Sequence, residues 1–292
     1  MGNVLFRQAF AKINVHLGVG APFSDGYHPI ESIFALVDLA DTIEVSWKES
    51  KNFSVTVKGL EEYCTTGSDT LSRAAMLWFA KSHLPLTLTV TCNKQIPVKA
   101  GLGGGSSDAA ALLLLLQEIA GVKAVASADL VDIGLQVGSD VPFFLSGYSC
   151  ALVEGRGEKV TKLELGSKPL LLAMPKEYAI STGEAYRAID AMRGGSIPGP
   201  RPSLEDVLSL LGSDPVFWNG VFYNDFEMCT DYPQFYDVIA TLSHGYEGFG
   251  CLTGSGSCWF FLAENIKSVV ELHEVIHERF LDSVQLWCTR LI

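Results

Sequence analysis

The segment Pro97-Val98-Lys99-Ala100-Gly101-Leu102-Gly103-Gly104-Gly105-Ser106-Ser107-Asp108-Ala109-Ala110 is the part of this 292-residue sequence best suited to chemistry. Four of the five residues from Gly101 to Gly105 are glycine, so the backbone can turn its N–H groups inward with no Cβ in the way. A Leu-rich helical pattern begins at once. The first N–H groups of a helix have no internal acceptor, and its dipole favours an anion there. Together these features predict a phosphate cradle, with the hydroxyls of Ser106 and Ser107 able to hold a phosphate oxygen or a Mg²⁺. Two other phosphate motifs do not fit. A Walker A loop ends in Gly-Lys-Ser/Thr, whereas this loop ends in Ser106-Ser107-Asp108. A dinucleotide fingerprint needs a third glycine where Ser106 stands.

The elements that must position this loop read as mixed α and β. Strands are predicted at 15–19, 42–47, 53–57, 86–92, 168–174, 257–263 and 284–289, where β-branched or aromatic residues lie between breakers. Helices are predicted at 70–82, 106–120, 127–136 (capped by Ser127), 182–192, 203–211, 233–243 and 266–280. Residues 194–202 are rich in Pro and Gly and predict a loop. The character of the chain changes near residue 157, which suggests domains at 1–157 and 158–292.

Composition narrows the classes of function. Thirty-three acidic against 21 basic residues give a net charge of −12, with no basic stripe for a nucleic acid. An anionic substrate must therefore meet a local positive site. Lys94 and Lys99, on either side of the approach to the loop, are either phosphate neutralisers or plain solvated lysines. Arg156, between two glycines, either reaches an anion or caps a turn. The seven cysteines form no C-x-x-C pair and fit no zinc spacing, as expected of buried thiols in a reducing cytoplasm. The first ten residues lack a basic stretch followed by an apolar one, and the longest apolar run, 109–116, is far shorter than a membrane span. A cytoplasmic protein with no membrane or nucleic-acid partner is the expectation.

The Gly101–Ala110 loop resembles the ATP loop of the GHMP kinase superfamily. Ala11-Lys12-Ile13-Asn14-Val15 resembles its N-terminal motif, and Leu252-Thr253-Gly254-Ser255-Gly256-Ser257-Cys258 its C-terminal glycine motif. Asp25-Gly26-Tyr27-His28, Gly138-Ser139-Asp140-Val141-Pro142-Phe143-Phe144 and Glu154-Gly155-Arg156-Gly157-Glu158 follow in the order of one branch. That branch acts on a cytidine-diphosphate-linked alcohol in the non-mevalonate route to isoprenoid precursors. The resemblance implies an α+β, two-domain GHMP fold. Its N-terminal domain would be like ribosomal protein S5 domain 2 and its C-terminal domain ferredoxin-like, with the active site in the interdomain cleft.

It further implies ATP with Mg²⁺ as co-substrate, a small cytidine-diphosphate alcohol as acceptor, and a monomer or weak homodimer. Pro97, Gly101, Leu102, Gly103, Gly104, Gly105, Ser106 and Ser107 would bind the nucleotide, with Ser107 toward the Mg²⁺. Asp140 would be the general base and Lys12 the cation that steadies the transferring phosphoryl group. Tyr27 would stack on the cytosine, His28 would bond its edge, and Tyr186 and Thr182 would complete that site. Asn14 shares a strand face with Lys12 and would hold a substrate hydroxyl or phosphate. Thr70 stands where the superfamily often has an Asn near the adenine. The competing readings are another GHMP kinase, of the mevalonate or homoserine type, and a catalytically silent binding relative.

Overall fold

The computed structural model describes residues 3–65, 67–177, 181–193, 201–229 and 233–292. All but the end of the loop predicted at 194–202 lies outside them. The chain forms two compact units that interleave along the sequence. One comprises Met1–Ala11, Leu39–Val98 and Gly103–Tyr148, the other Lys12–Asp38, Lys99–Leu102 and Ser149–Ile292. Two long strands, β1 (Asn3–Val19) and β2 (Ile30–Glu49), contribute residues to both.

In the first unit, β2 pairs antiparallel with β4 (Leu86–Asn93), from Thr42 opposite Asn93 to Glu49 opposite Leu86. β3 (Ser54–Lys58) runs parallel to β4, and a parallel pair needs a crossover, which here contains α1 (Thr70–Ser82). Asp69 caps α1, its Oδ1 accepting from Ser72 N at 2.7 Å. The central helix α2 (Gly104–Ala120) is followed by α3 (Ser127–Val137) and α4 (Val141–Ser146). By length and composition, residues Gly104–Lys123 form a helix that could cross a membrane, yet Leu112, Leu113, Leu115 and Leu116 are buried against Trp78, Ile43 and Val90. The apolarity of α2 is that of a helix at the centre of a core. Trp78 Nε1 donates to Gln117 Oε1 at 3.0 Å, and Gln117 also holds both backbone groups of Val125.

The second unit carries β5 (Cys150–Gly155) and β6 (Lys159–Lys162) beside the first half of β2, and a four-stranded antiparallel sheet. The order in that sheet is β10 (Val284–Arg290), β7 (Pro169–Pro175), β9 (Trp259–Leu262), β8 (Phe249–Leu252). Phe235 and Ile239 of α7 (Pro233–Ser243) and Val269, Leu272 and Ile276 of α8 (Ile266–Phe280) cover Leu171, Ala173, Trp259 and Phe261 of that sheet. Helices α5 (Thr182–Arg193) and α6 (Leu204–Leu210) complete the unit.

Three details depart from the sequence expectation. β1 and β2 are much longer than the strands predicted at 15–19 and 42–47, because polar residues buried in β1 (Lys12, Asn14 and His16) mask its apolar character. α2 starts at Gly104, two residues early, on a left-handed Gly103 (φ 70°). Ser127 does not cap α3: it is the first helical residue, and Ala126 stands at the cap without a side-chain bond.

Candidate functional site

The head of α2 is built from backbone. Ser106 N and Ser107 N both reach Gly103 O, at 3.1 and 2.9 Å, so the amides of Gly104 and Gly105 precede the first internal bonds. Thr70 Oγ1 donates to Gly105 O at 2.8 Å and fixes the turn from α1. Gly105 is exposed, Ser106 partly so, and Ser107 is buried. Asp140 occupies the N-cap position of α4 and is half-buried, and Val141, Pro142 and Phe143 after it are fully buried.

Beneath the same helix head lies a cluster of charges that sequence reasoning missed. Lys94 is not a solvated lysine: its ammonium bonds the buried Asp41 and, at 2.9 Å, Asp108 Oδ2. Asp41 Oδ1 also accepts from Gln95 N and Ile96 N, at 2.5 and 2.8 Å. A Cβ on Gly104 would come within 3.2 Å of Lys94 Nζ, so the cation sits directly under the first residue of α2. Burial pushes the Asp108 carboxyl up to about 7 against the pull of the Lys94 charge. Burial alone would lower Lys94, but the two carboxylates outweigh it and raise it.

In the second unit, Lys12 is buried near the start of its run of β1 and donates to Asn14 Oδ1 at 2.7 Å and to Gly101 O at 3.0 Å. Its ammonium lies 4.8 Å from the centre of the Phe34 ring. The lysine of the N-terminal motif is thereby tied to the first glycine of the loop, 89 positions away. Asn14 Nδ2 donates to Ser32 Oγ, and Asn14 N donates to Thr253 Oγ1, both at 2.9 Å. Gly101 has φ +77° and its missing Cβ would lie 2.2 Å from Thr253 O, so no side chain fits there. Asn224 Nδ2, in the stretch 224–227 where the family resemblance resumes, donates to Leu252 O and Gly254 O at 2.8 Å and holds the C-terminal glycine motif in place.

The same unit brings several predicted acceptor residues together. His28 is buried and stacks on Tyr186, with ring centres 5.0 Å apart and planes at 24°. His28 Nε2 lies 2.8 Å from Asp190 Oδ1, one turn beyond Tyr186 on α5. Tyr186 meets the edge of Phe226 at 5.0 Å. Thr182, the first residue of α5, places its hydroxyl 3.3 Å from Ser255 Oγ. Tyr27 carries the Arg156 guanidinium 4.9 Å from its ring centre. Arg156 also pairs with Asp25, whose carboxyl is lowered first by that bond. Arg156 thus braces an aromatic and an acidic residue of one motif.

A further cluster centres on Asp225, in the stretch 224–227 where the family resemblance resumes. Asp225 is buried, accepts from Val19 N at 2.6 Å, and pairs with Arg193 and Arg201. His16 lies edge-on to Tyr223 at 4.4 Å, with neither ring nitrogen hydrogen-bonded among the described residues. Burial lowers it to about 4, Asp225 acting against that shift and Arg201 with it.

Residues 69–148 match the family model described as GHMP kinases N terminal domain. A 4-diphosphocytidyl-2-C-methyl-D-erythritol kinase of Clostridium botulinum (strain Eklund 17B / Type B) is 31% identical over 281 residues, covering 94% of this chain and 96% of the relative. One from Anaeromyxobacter sp. (strain Fw109-5) is 44% identical over 192 residues, spanning 64% of this chain and 61% of its own length. A solved 4-(cytidine 5'-diphospho)-2C-methyl-D-erythritol kinase superposes with a TM-score of 0.76 at 29% identity, over 98% of this chain and 99% of that one. A mevalonate kinase from Methanococcus jannaschii shares the fold alone, with a TM-score of 0.62 at 14% identity over 100% of this chain and 99% of that one.

Proposed function

The chain belongs to the 4-diphosphocytidyl-2-C-methyl-D-erythritol kinase family, and from that premise we propose that it transfers the γ-phosphate of ATP to the 2-hydroxyl of 4-diphosphocytidyl-2-C-methyl-D-erythritol, a step toward isoprenoid precursors. The acceptor is a tertiary alcohol, a poor nucleophile at neutral pH. Asp140 takes or orients its proton, and Lys12 steadies the negative charge that shifts toward the leaving and attacking oxygens. The amides at the head of α2, with Pro97, Gly101 and Leu102 leading into them, hold the phosphates.

A Mg²⁺ fits this donor set as a companion of the nucleotide. Among the described residues no three His, Cys, Asp or Glu side chains gather into a metal cage, and Ser107 would offer its hydroxyl to a Mg²⁺ that arrives with the nucleotide. Bound there with the nucleotide, the ion would supply screening of the phosphate charges. Asn14 holds a hydroxyl or phosphate of the acceptor, and Tyr27, His28, Thr182 and Tyr186 bind its cytidine end. An S5-like N-terminal domain at 1–157, a ferredoxin-like C-terminal domain at 158–292, a cytoplasmic location and a monomer or weak homodimer complete this reading.

The observation that most supports this reading is the bond from Lys12 to Gly101, a cation fixed to the phosphate loop by a distant motif. ADP release coupled to a reporter, measured with ATP and each of 4-diphosphocytidyl-2-C-methyl-D-erythritol, mevalonate and homoserine, tests it. The cytidine compound is expected to be preferred by several orders of magnitude in kcat/KM. Preference for mevalonate or homoserine would reject the assignment.

A further inference from the structure

Resting on the reading of His28 as the cytosine contact, we propose that Asp190 is the positioning residue that makes the site select cytidine over uridine, by fixing which nitrogen of His28 carries the proton. An ionised carboxylate only accepts hydrogen bonds. With Asp190 Oδ1 2.8 Å away, His28 Nε2 must carry the hydrogen. In the neutral ring Nδ1 is then the acceptor. The Tyr186 ring at 5.0 Å prevents the imidazole from turning over freely to exchange its two nitrogens.

An acceptor at Nδ1 matches one base edge. Cytosine presents an amino donor at C4, where uracil presents a carbonyl oxygen. In the same pose, uridine would set two lone pairs against each other. Asp190 is half-exposed, at 48%, whereas His28 is only 5% exposed, so replacing the aspartate leaves the core untouched.

The test uses the full chain with the cytidine acceptor and its uridine counterpart. Asp190→Asn removes the obligatory acceptor, since its amide can donate to Nε2 and let the proton move to Nδ1. The variant is expected to lose cytidine preference by about tenfold or more through KM, with kcat for the cytidine compound held within about twofold. Asp190→Glu, which keeps a carboxylate, is expected to restore most of the preference. ¹⁵N chemical shifts of His28 should report the Nε2–H form in the unaltered protein and a gain of the Nδ1–H form in Asp190→Asn, a signature that lost packing would not produce. If Asp190→Asn keeps both the tautomer and the preference while His28→Ala abolishes the preference, the role of Asp190 is overturned and the cytidine site stands. If His28→Ala itself leaves the preference intact, the cytidine reading of His28 fails and takes this inference with it.

Discussion

The head of α2 and the His28–Tyr186 pair are built from opposite materials. At the helix head the groups offered to a ligand are backbone amides, and the charged side chains nearby (Lys94, Asp41 and Asp108) are buried and pair through Lys94, with Asp108 Oδ1 lacking a hydrogen-bond partner among the described residues. At the His28–Tyr186 pair the recognising groups are side chains: a stacked ring, an imidazole, and a carboxylate at the surface. The first arrangement suits a ligand part that never varies, a phosphate. The second suits a part that must be told from near relatives, a base. The difference teaches where substitutions should act: at the helix head on stability and rate, at the aromatic pair on KM.

The largest effect should come from the residue placed in the chemistry. Asp140→Asn is expected to lower kcat by roughly 10²–10⁴-fold with little change in KM for ATP. Steady-state kinetics check this, and near-normal turnover would remove Asp140 as the base. Next is Lys94→Met, which strands two buried carboxylates. It should destabilise the fold by about 3–5 kcal/mol in urea titration. A variant as stable as the parent would show that the cluster is not the support of the helix head.

His16 offers a pH test. Its folded value, about 4, lies below the ordinary 6.5, so the unfolded chain binds the proton first. Stability is therefore full above the ordinary value and declines as pH falls from 6.5 toward 4, by up to about 3 kcal/mol from this group. His16→Phe, measured by denaturant midpoint at pH 7.5 and 5, should flatten that decline. An unchanged slope would assign acid sensitivity elsewhere. The smallest effect sharpens the comparison most: His28→Ala should raise KM for the acceptor by about 10- to 100-fold and spare both KM for ATP and kcat. A matching rise in KM for ATP would erase the distinction between the two regions.

What could be read from the sequence follows the same line. The phosphate loop and α2 were legible because glycine conformational freedom and helix-end chemistry are local properties. Lys12 was legible only through its neighbours Ile13 and Asn14, since a lysine buried in a strand breaks the apolar pattern that reveals strands. That break also hid most of β1. Lys94 could be read only as a phosphate neutraliser or a solvated lysine because Asp41, its partner, is 53 positions away. Asn224 showed only as part of the stretch 224–227 where the resemblance resumes, and Asp190 gave no sign, for each acts through a contact across the tertiary fold that no spacing encodes.

The central claim is phosphoryl transfer to one particular alcohol. Incubating the full chain with ATP and 4-diphosphocytidyl-2-C-methyl-D-erythritol, and following the mixture by ³¹P NMR, reads it directly. A new phosphomonoester resonance on the acceptor, appearing in step with ADP, is the predicted result. ADP accumulating with inorganic phosphate and an unmodified acceptor would contradict the account.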